Sequence, residues 1–380
     1  MKYLQALSAA PLRPGPALLF GVSLLAMASP GRADEPATRY GSVTQRGVGV
    51  EGGFTASALH ANDFHLADEA LLSFDLVATL PAGRGQWTLY VEASSSVKSD
   101  AVSSRVAEAN ADAATAVDGD DRGRLQVSEL HYSLPLGGDR MILGLLNPAG
   151  FLDASEIAND ESNQFLAASF VNNPTIAFPD YTLGAAYHHD AQGGIPGYTL
   201  LLASSHGLAD NAGRSYAELV AVDADGKGLF AAVELYWLRG ATILRLGLWQ
   251  RSDAQARLSG SGEESNYGLY GVADGSLGQG RWNLRLGLAN DAVSEAANFA
   301  AVALEQPLAG HTLGLGLAHT GASNRLGPEG GDRLHAETYL RIDLNDALHL
   351  TPSLQFIRHG GLDQSARALW LAALRASYAF

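Results

Sequence analysis

The chain contains no cysteine. That single absence removes a disulfide framework, a thiolate zinc site and a cysteine nucleophile together. Charge is sparse, 17% of residues, and lopsided, with 25 Lys and Arg against 40 Asp and Glu for a net charge of −15. A surface of that sign repels phosphate, so no nucleic-acid partner is expected. Long apolar runs are missing after residue 33, where nothing reaches the ~20 residues a membrane-spanning helix needs. Yet 47% of the residues are hydrophobic and 43 are glycine. If such a chain enters a membrane it does so as strands, because only helices and closed barrels satisfy their backbone in hydrocarbon.

The first 33 residues read as an address. Lys2 and Arg13 give a positive start, Ala17 to Ala28 a short apolar core, and Gly31-Arg32-Ala33 a small-x-small cleavage site. The core is about a dozen residues, too short to span a bilayer, so a cleaved signal peptide over 1–33 is expected, with one domain over 34–380. Lys2, Arg13 and Arg32 leave with it and no acidic residue does, which makes the remainder −18.

Period-two alternation dominates what is left. In Thr242 to Gln250, Leu244, Leu246 and Leu248 share one face while Ile243, Arg245, Gly247 and Trp249 share the other. Trp282, Leu284, Leu286 and Leu288 oppose Asn283, Arg285 and Gly287. Leu313, Leu315 and Leu317 oppose Thr312, Gly314 and Gly316. One face is leucine and the other is small or charged. Alternation alone also fits a soluble sandwich, and three further features argue for a membrane barrel.

First, sixteen candidate strands follow residue 45, an even number, each near the length a tilted membrane strand requires. They run approximately over 46–58, 68–80, 86–97, 124–134, 138–146, 180–189, 197–206, 228–238, 241–251, 264–273, 280–290, 297–306, 311–320, 334–344, 347–358 and 368–380. Second, short and long connections alternate. Pro81 to Arg84, Pro135 to Gly137, Leu238 to Gly240, Pro307 to Gly310 and Asn345 to Ala347 are short, whereas 99–123, 147–179, 207–227, 252–263 and 321–333 are long. Third, Trp370, Ala372, Leu374, Ala376, Tyr378 and the terminal Phe380 share a face of the last strand. Trp87, Trp237, Trp282 and Tyr198 sit at strand ends, where interfacial girdles belong. The fold class expected is all-β: a sixteen-stranded antiparallel transmembrane β-barrel with short periplasmic turns and long extracellular loops.

The third long connection, 147–179, holds Asn147-Pro148-Ala149-Gly150-Phe151-Leu152-Asp153 and Gln164-Phe165-Leu166-Ala167-Ala168-Ser169-Phe170-Val171-Asn172-Asn173-Pro174. A connection so long and so rich in aromatic and aliphatic residues is expected to be ordered and folded into the lumen; an external cap is the alternative. Asp153, Glu156, Asp160, Phe165, Asn172 and Asn173 are the candidate constriction residues.

This loop resembles the carbohydrate-selective porins of Gram-negative outer membranes. The resemblance rests on Gly144-Leu145-Leu146-Asn147-Pro148 before it and Phe178-Pro179-Asp180-Tyr181-Thr182-Leu183-Gly184-Ala185 after it. It rests again on Leu350-Thr351-Pro352-Ser353-Leu354-Gln355-Phe356-Ile357, followed by Gly360-Gly361 and the closing strand. It covers about 120–190 and 334–380; the family's Asn-Pro-Gly-Gly turn is here Arg358-His359-Gly360-Gly361. The resemblance implies a non-enzymatic, cofactor-free outer-membrane channel for sugars or other small hydrophilic solutes. Further expected partners are outer-membrane lipid and the barrel-assembly machinery, read through the C-terminal strand ending in Phe380; a homotrimer is left open. A general or anion-tuned porin, an outer-membrane barrel enzyme and an adhesin are the competing readings.

Strand parity nominates Asp75, Tyr90, Glu92, Glu129, Glu234, Tyr236, Arg245, Arg285, Glu337, Tyr339, Arg341, Gln355 and Arg375 as lumen-facing, solute-contacting residues. Arg285, Arg341 and Arg375 suggest a basic ladder, and Glu92 with Glu129 a pair of facing carboxylates; mutual charge pairing is the competing reading. No metal site is expected. Asp118-Gly119-Asp120-Asp121-Arg122-Gly123, with Glu129 twelfth in line, has the spacing of a calcium loop but puts a cation, Arg122, at the fifth position. His188-His189-Asp190 lacks further ligands nearby in sequence, and no Gly-x-Ser-x-Gly elbow or Walker sequence is present.

Overall fold

In the computed structural model, residues 47–114, 122–209, 216–220, 227–359 and 368–380 are described. The segment 1–33, the acidic string 118–121 and Gly360-Gly361 lie outside them.

Sixteen strands close on themselves: β1 Gly49–Ala61, β2 Glu69–Ala82, β3 Gly85–Ser94, β4 Arg124–Leu136, β5 Asp139–Leu146, β6 Thr182–His189, β7 Gly197–Ser204, β8 Leu229–Arg239, β9 Thr242–Ala256, β10 Glu263–Leu277, β11 Gly280–Ala289, β12 Ala296–Leu308, β13 His311–Ala322, β14 Arg333–Asp343, β15 Leu348–His359 and β16 Leu369–Ala379. Each pairs antiparallel with its chain neighbours, and β1 pairs with β16, so no edge remains. Closure leaves no strand with an unpaired row of N–H and C=O groups.

Along β9 the leucines at 244, 246 and 248 are exposed and Arg245, Trp249 and Arg251 are buried. In β11, Leu284, Leu286 and Leu288 face out while Asn283 and Arg285 are buried. The alternation is therefore a partition between a leucine-rich outer surface and a polar interior, inverted relative to a soluble sandwich. Aromatic side chains gather near the short-turn end of the outer face, with Trp87 on Tyr132 at 5.2 Å and Tyr187 on Tyr198 at 6.0 Å between ring centres.

Glycines inside the wall make room for rings. Gly247 of β9 lies opposite Tyr270 of β10, and a Cβ at 247 would fall 2.0 Å from that ring. Gly314 stands in the same relation to Tyr339, again at 2.0 Å. Each tyrosine lies flat on its neighbour strand instead of projecting across the lumen.

Strands β9 and β10 run on to Ala256 and from Glu263, which shortens their connection to 257–262 against the expected 252–263. The buried–exposed alternation simply continues through Asp253. Several connections fold inward among the described residues; Leu208 and Leu219, from the one after β7, pack with Tyr90, Leu145 and Tyr181. The loop 147–181 carries the short helix α2 Ala168–Val171, and the stretch after Asp100 carries α1 Val102–Arg105 and two turns of 3-10 helix up to Ala113. They touch each other, Ala111 N–H donating to Leu166 O at 2.8 Å. Apolar side chains of these segments build cores within the barrel, one around Leu152, Ile176 and Phe178 against Phe230, Trp249 and Tyr270, another around Phe165 and Phe170 against Phe299, Ala301 and Tyr339.

Candidate functional site: the loop-filled lumen

A loop with little regular structure carries backbone groups that must be satisfied once it leaves water. The wall supplies those partners. Arg285 of β11 is fully buried and donates to Phe170 O at 2.6 Å, Asp153 O at 2.8 Å and Asn159 Oδ1 at 2.8 Å. Arg375 of β16, equally buried, donates to Gln164 O at 2.5 Å and to Glu161 O. Glu337 of β14 accepts from the N–H groups of Leu166 and Ala167 at 3.0 and 2.9 Å. Glu234 of β8 accepts from Asp153 N–H at 2.9 Å and Tyr270 Oη at 2.8 Å. Arginines thus hold carbonyls and glutamates hold N–H groups, both as strong charge-assisted bonds.

The first inserted stretch is seated the same way. Glu69 of β2 accepts from Ser103 N–H at 2.7 Å, Ser103 Oγ at 2.6 Å and Asn110 Nδ2 at 2.9 Å. Gln355 of β15 donates to Ala109 O at 2.8 Å and meets His335 at 3.1 Å. Glu108 lies 3.2 Å from His359 and 3.8 Å from Arg333. Burial opposes its charge, but Arg333 and His359 outweigh it and hold its carboxyl below the ordinary range.

Of the lumen candidates nominated by parity, Asp75, Tyr90, Glu92, Glu129, Glu234, Tyr236, Arg245, Arg285, Glu337, Tyr339, Gln355 and Arg375 are buried, and Arg341 is half-buried. Tyr90 donates to Asp75 at 2.6 Å, and Glu92 accepts from Gln126 at 2.9 Å and from Ser128. Arg245 sits between Asp274 at 3.1 Å and Glu234 at 3.7 Å. Tyr236 accepts from Ala191 N–H at 3.0 Å and stacks on His188. Arg285, Arg341 and Arg375 do not share a function as a ladder: two hold loop carbonyls, while Arg341 pairs with Asp343 at 3.0 Å. Glu92 and Glu129 do not face each other across the lumen either. They stand on the adjacent strands β3 and β4, where a bulge around Ser128 turns Glu129 inward.

Within the long loop, Asp153 adopts a left-handed conformation with φ 58°, which Asp tolerates better than most residues. Its carboxylate accepts from Asn173 N–H at 3.0 Å and stands 3.4 Å from Arg285. Burial, reinforced by Glu234 and Asp274, pushes that carboxyl up to about 6 against the pull of Arg285. Asn173 also donates to Leu286 O at 3.0 Å. Asp160 caps a turn, accepting from Ser162 and Asn163 N–H at 2.9 and 3.0 Å. Phe165 is packed between Phe170 and Tyr339, and Asn172 is buried. Glu156 remains partly open, 4.0 Å from Arg281 of β11.

Sequence reasoning did not single out Glu69, Glu108, Asp274, Arg281 or Glu305. Asp274, Arg281 and Glu305 were reachable by parity, since Arg281 lies four residues before Arg285 on the same face. Glu69 was reachable in the same way, on the face of β2 that carries Asp75, whereas Glu108 carries no such signal, because its place is set by how the first inserted stretch lies.

A closed sixteen-stranded barrel, leucine outside and narrowed by segments tied to its inner wall, is the porin class of fold. No family model matches the chain. An uncharacterized protein of Aquifex aeolicus (strain VF5) is 37% identical over 67 residues, which is 18% of this chain and only 22% of that protein. Among solved structures, the high-pH form of OprB from Pseudomonas putida superposes with a TM-score of 0.70 at 12% identity, over 88% of this chain and 94% of that one. A substituted form of the Rh. blastica porin gives 0.54 at 10% identity, over 88% and 100%. At these identities the likeness is one of fold.

Proposed function

We propose that this protein is a passive channel of the Gram-negative outer membrane for small hydrophilic solutes, with carbohydrates as its favoured cargo. The observation that carries the reading is charge compensation inside the barrel. Arg245 is matched by Glu234 and Asp274, Arg281 by Glu305 and Glu156, Arg341 by Asp343, and Glu108 by Arg333 and His359. Pairs of this kind offer hydrogen-bonding groups with little field of their own, which suits neutral, hydroxyl-rich molecules held weakly enough to leave. The leucine-rich outer face and the aromatic groups near the short-turn end support a bilayer location. On this reading 1–33 is removed on export, the long connections face outward and the strand ending in Phe380 is offered to the assembly machinery.

Proteoliposome swelling with glucose, sucrose and maltotriose, together with single-channel recording, tests the reading. Size-graded sugar entry and sugar-induced current block are expected. Swelling with none of them would end the channel reading. Swelling without block, combined with a strong anion preference in reversal potential, would favour the anion-tuned alternative, for which the partly exposed Arg281 and Arg341 are the specific motive.

A further inference from the structure

Two arginines four residues apart on one face of β11 have opposite surroundings. The Arg285 side chain is 1% exposed, and its two terminal nitrogens donate to loop oxygens. The Arg281 side chain is 44% exposed, with its guanidinium 2.5 Å from Glu305 and 4.0 Å from Glu156. Glu156, on the inserted loop, is itself 36% exposed on its side chain. Glu305 is buried and also accepts from Tyr339. Of the acidic residues picked out in the loop, Asp153 is buried against Arg285, and Asp160 is taken up by the N–H groups of its own turn.

From this contrast we infer a division of labour that rests on the channel reading: Arg281 and Glu156 are the specificity-determining pair met by a permeating sugar, whereas Arg285 and Arg375 are positioning residues that fix the bore through the loop and never touch the solute.

The physical basis is access to donors. A guanidinium presents five N–H groups in a plane, and Arg281 commits only part of that fork to Glu305, leaving the rest directed at water. Glu156 offers acceptor oxygens beside it, its backbone N–H bonding weakly to Asp274 at 3.3 Å. A donor fork next to an acceptor pair matches vicinal hydroxyls, which both donate and accept. Glu156 is also fixed in place: Ser155 Oγ donates to Asp274 at 2.6 Å and Gln164 Nε2 to Glu156 O at 2.8 Å. Arg285 and Arg375 cannot play this part, because five loop oxygens at positions 153, 159, 161, 164 and 170 occupy them. What they control is where that loop stands.

The experiment compares R281Q and E156Q with R285K and R375K in planar bilayers, with heat-modifiable gel mobility as the check on barrel formation. For R281Q and E156Q, half-block by maltotriose should need roughly tenfold more sugar. For R285K and R375K, open-channel conductance should rise and the swelling cut-off should move to larger sugars. Should the arginine variants fail to form barrels, S377A removes a milder tether, Ser377 Oγ to Ser162 O at 2.6 Å, and the same rise in conductance is expected from it. Unchanged block in both R281Q and E156Q overturns the inference, as does weakened block at unaltered conductance in R285K or S377A. Sugar passage through the native channel tests the function itself, so the two failures are distinguishable.

Discussion

Arg285 and Asp153 meet twice: the guanidinium takes the Asp153 carbonyl at 2.8 Å and stands 3.4 Å from its carboxylate. Both are buried, and the same aspartate gives its N–H to Glu234 on β8 and accepts from Asn173 further along the loop. One corner of the loop therefore binds β8 and β11 to two stretches of the inserted chain. Removing one partner of a buried, hydrogen-bonded pair costs about 3–5 kcal/mol, because the other is left without compensation. R285M is expected to lower the unfolding temperature of the barrel strongly in a gel-mobility melt. D153N, which keeps the shape and can be neutral already near pH 6, should lower it much less. Equal losses in the two variants would contradict this account.

Acidity should tighten the constriction. Burial drives the carboxyls of Asp112 and Asp153 up to about 6 from an ordinary 3.8. Around Asp112 stand Glu69, Asp75 and Glu92, with Ser73 and Arg375 favouring its charge but outweighed by burial. A carboxyl whose value is raised in the seated loop binds more protons there than when released, so seating gains as pH falls from above 6 towards 4 and changes no further below that. About two units correspond to roughly a hundredfold per group. Glu108 is held below its ordinary range by Arg333 and His359 and so does not share this rise. Single-channel closures should become more frequent between pH 7 and pH 4.5, and the doubly substituted D112N/D153N channel should lose most of that dependence. More closures on the alkaline side would reverse the assignment.

How much of this was legible in the sequence follows from what a period can encode. Leu244, Leu246 and Leu248 announce an outer face, and the strand order follows once the short connections are counted, because each is too short to do anything but turn back. Parity also finds Arg285 and Arg375 inward. It cannot say what they meet there, since Arg285 contacts a loop more than 110 residues away and Arg375 one more than 200 away. The inward course of the first inserted stretch had only a misleading signal, the alanines at 107, 109, 111 and 113, whose period of two is that of a strand although the chain makes 3-10 turns there. Inward therefore did not mean wet.

The glycine beneath Tyr270 should be intolerant of substitution. A Cβ at Gly247 would fall 2.0 Å from the ring, and the ring cannot move without losing its 2.8 Å bond to Glu234, the acceptor for Asp153 N–H. G247A is expected to cost about 1–3 kcal/mol as an overpacked site. Gly271 is the control, because the nearest atom to a Cβ there is 3.7 Å away, an ordinary contact. A barrel melt that falls for G247A and holds for G271A is the expected result, and equal effects would refute the close-packing argument.

Lipid-facing leucine should resist charge while inward positions of the same strand do not report it. Leu246 lies midway along β9, exposed on the outer face and flanked by Leu235 and Gly271. An arginine at such a depth costs about 2–4 kcal/mol, falling to about 0–1 near the interface. L246R should therefore reduce the fraction of folded barrel recovered in lipid vesicles, and R239 of β8, already charged and exposed beside a short turn, marks the depth at which charge is tolerated. Recovery of L246R at native yield would argue that this face does not meet hydrocarbon.

The seam between the first and last strands should depend on the final residue. Phe380 N–H donates to Gly52 O at 2.9 Å and Phe380 O accepts from Gly52 N–H at 3.1 Å, so the last residue completes the ladder between β1 and β16. Its ring lies over Gly52, where a Cβ would come within 2.8 Å, and 6.2 Å from the ring of Phe54. Deleting Phe380 removes two backbone bonds and an aromatic contact at the one junction whose strands are not consecutive in the chain. The deletion should slow closure and lower the melting temperature of the barrel, and F380A, which keeps the backbone bonds, should lie between the deletion and the native chain. If F380A is as poor as the deletion when refolded into pure lipid, the side chain rather than the ladder governs closure; if it is as poor only in cells, the ring is being read during assembly and not by the barrel itself.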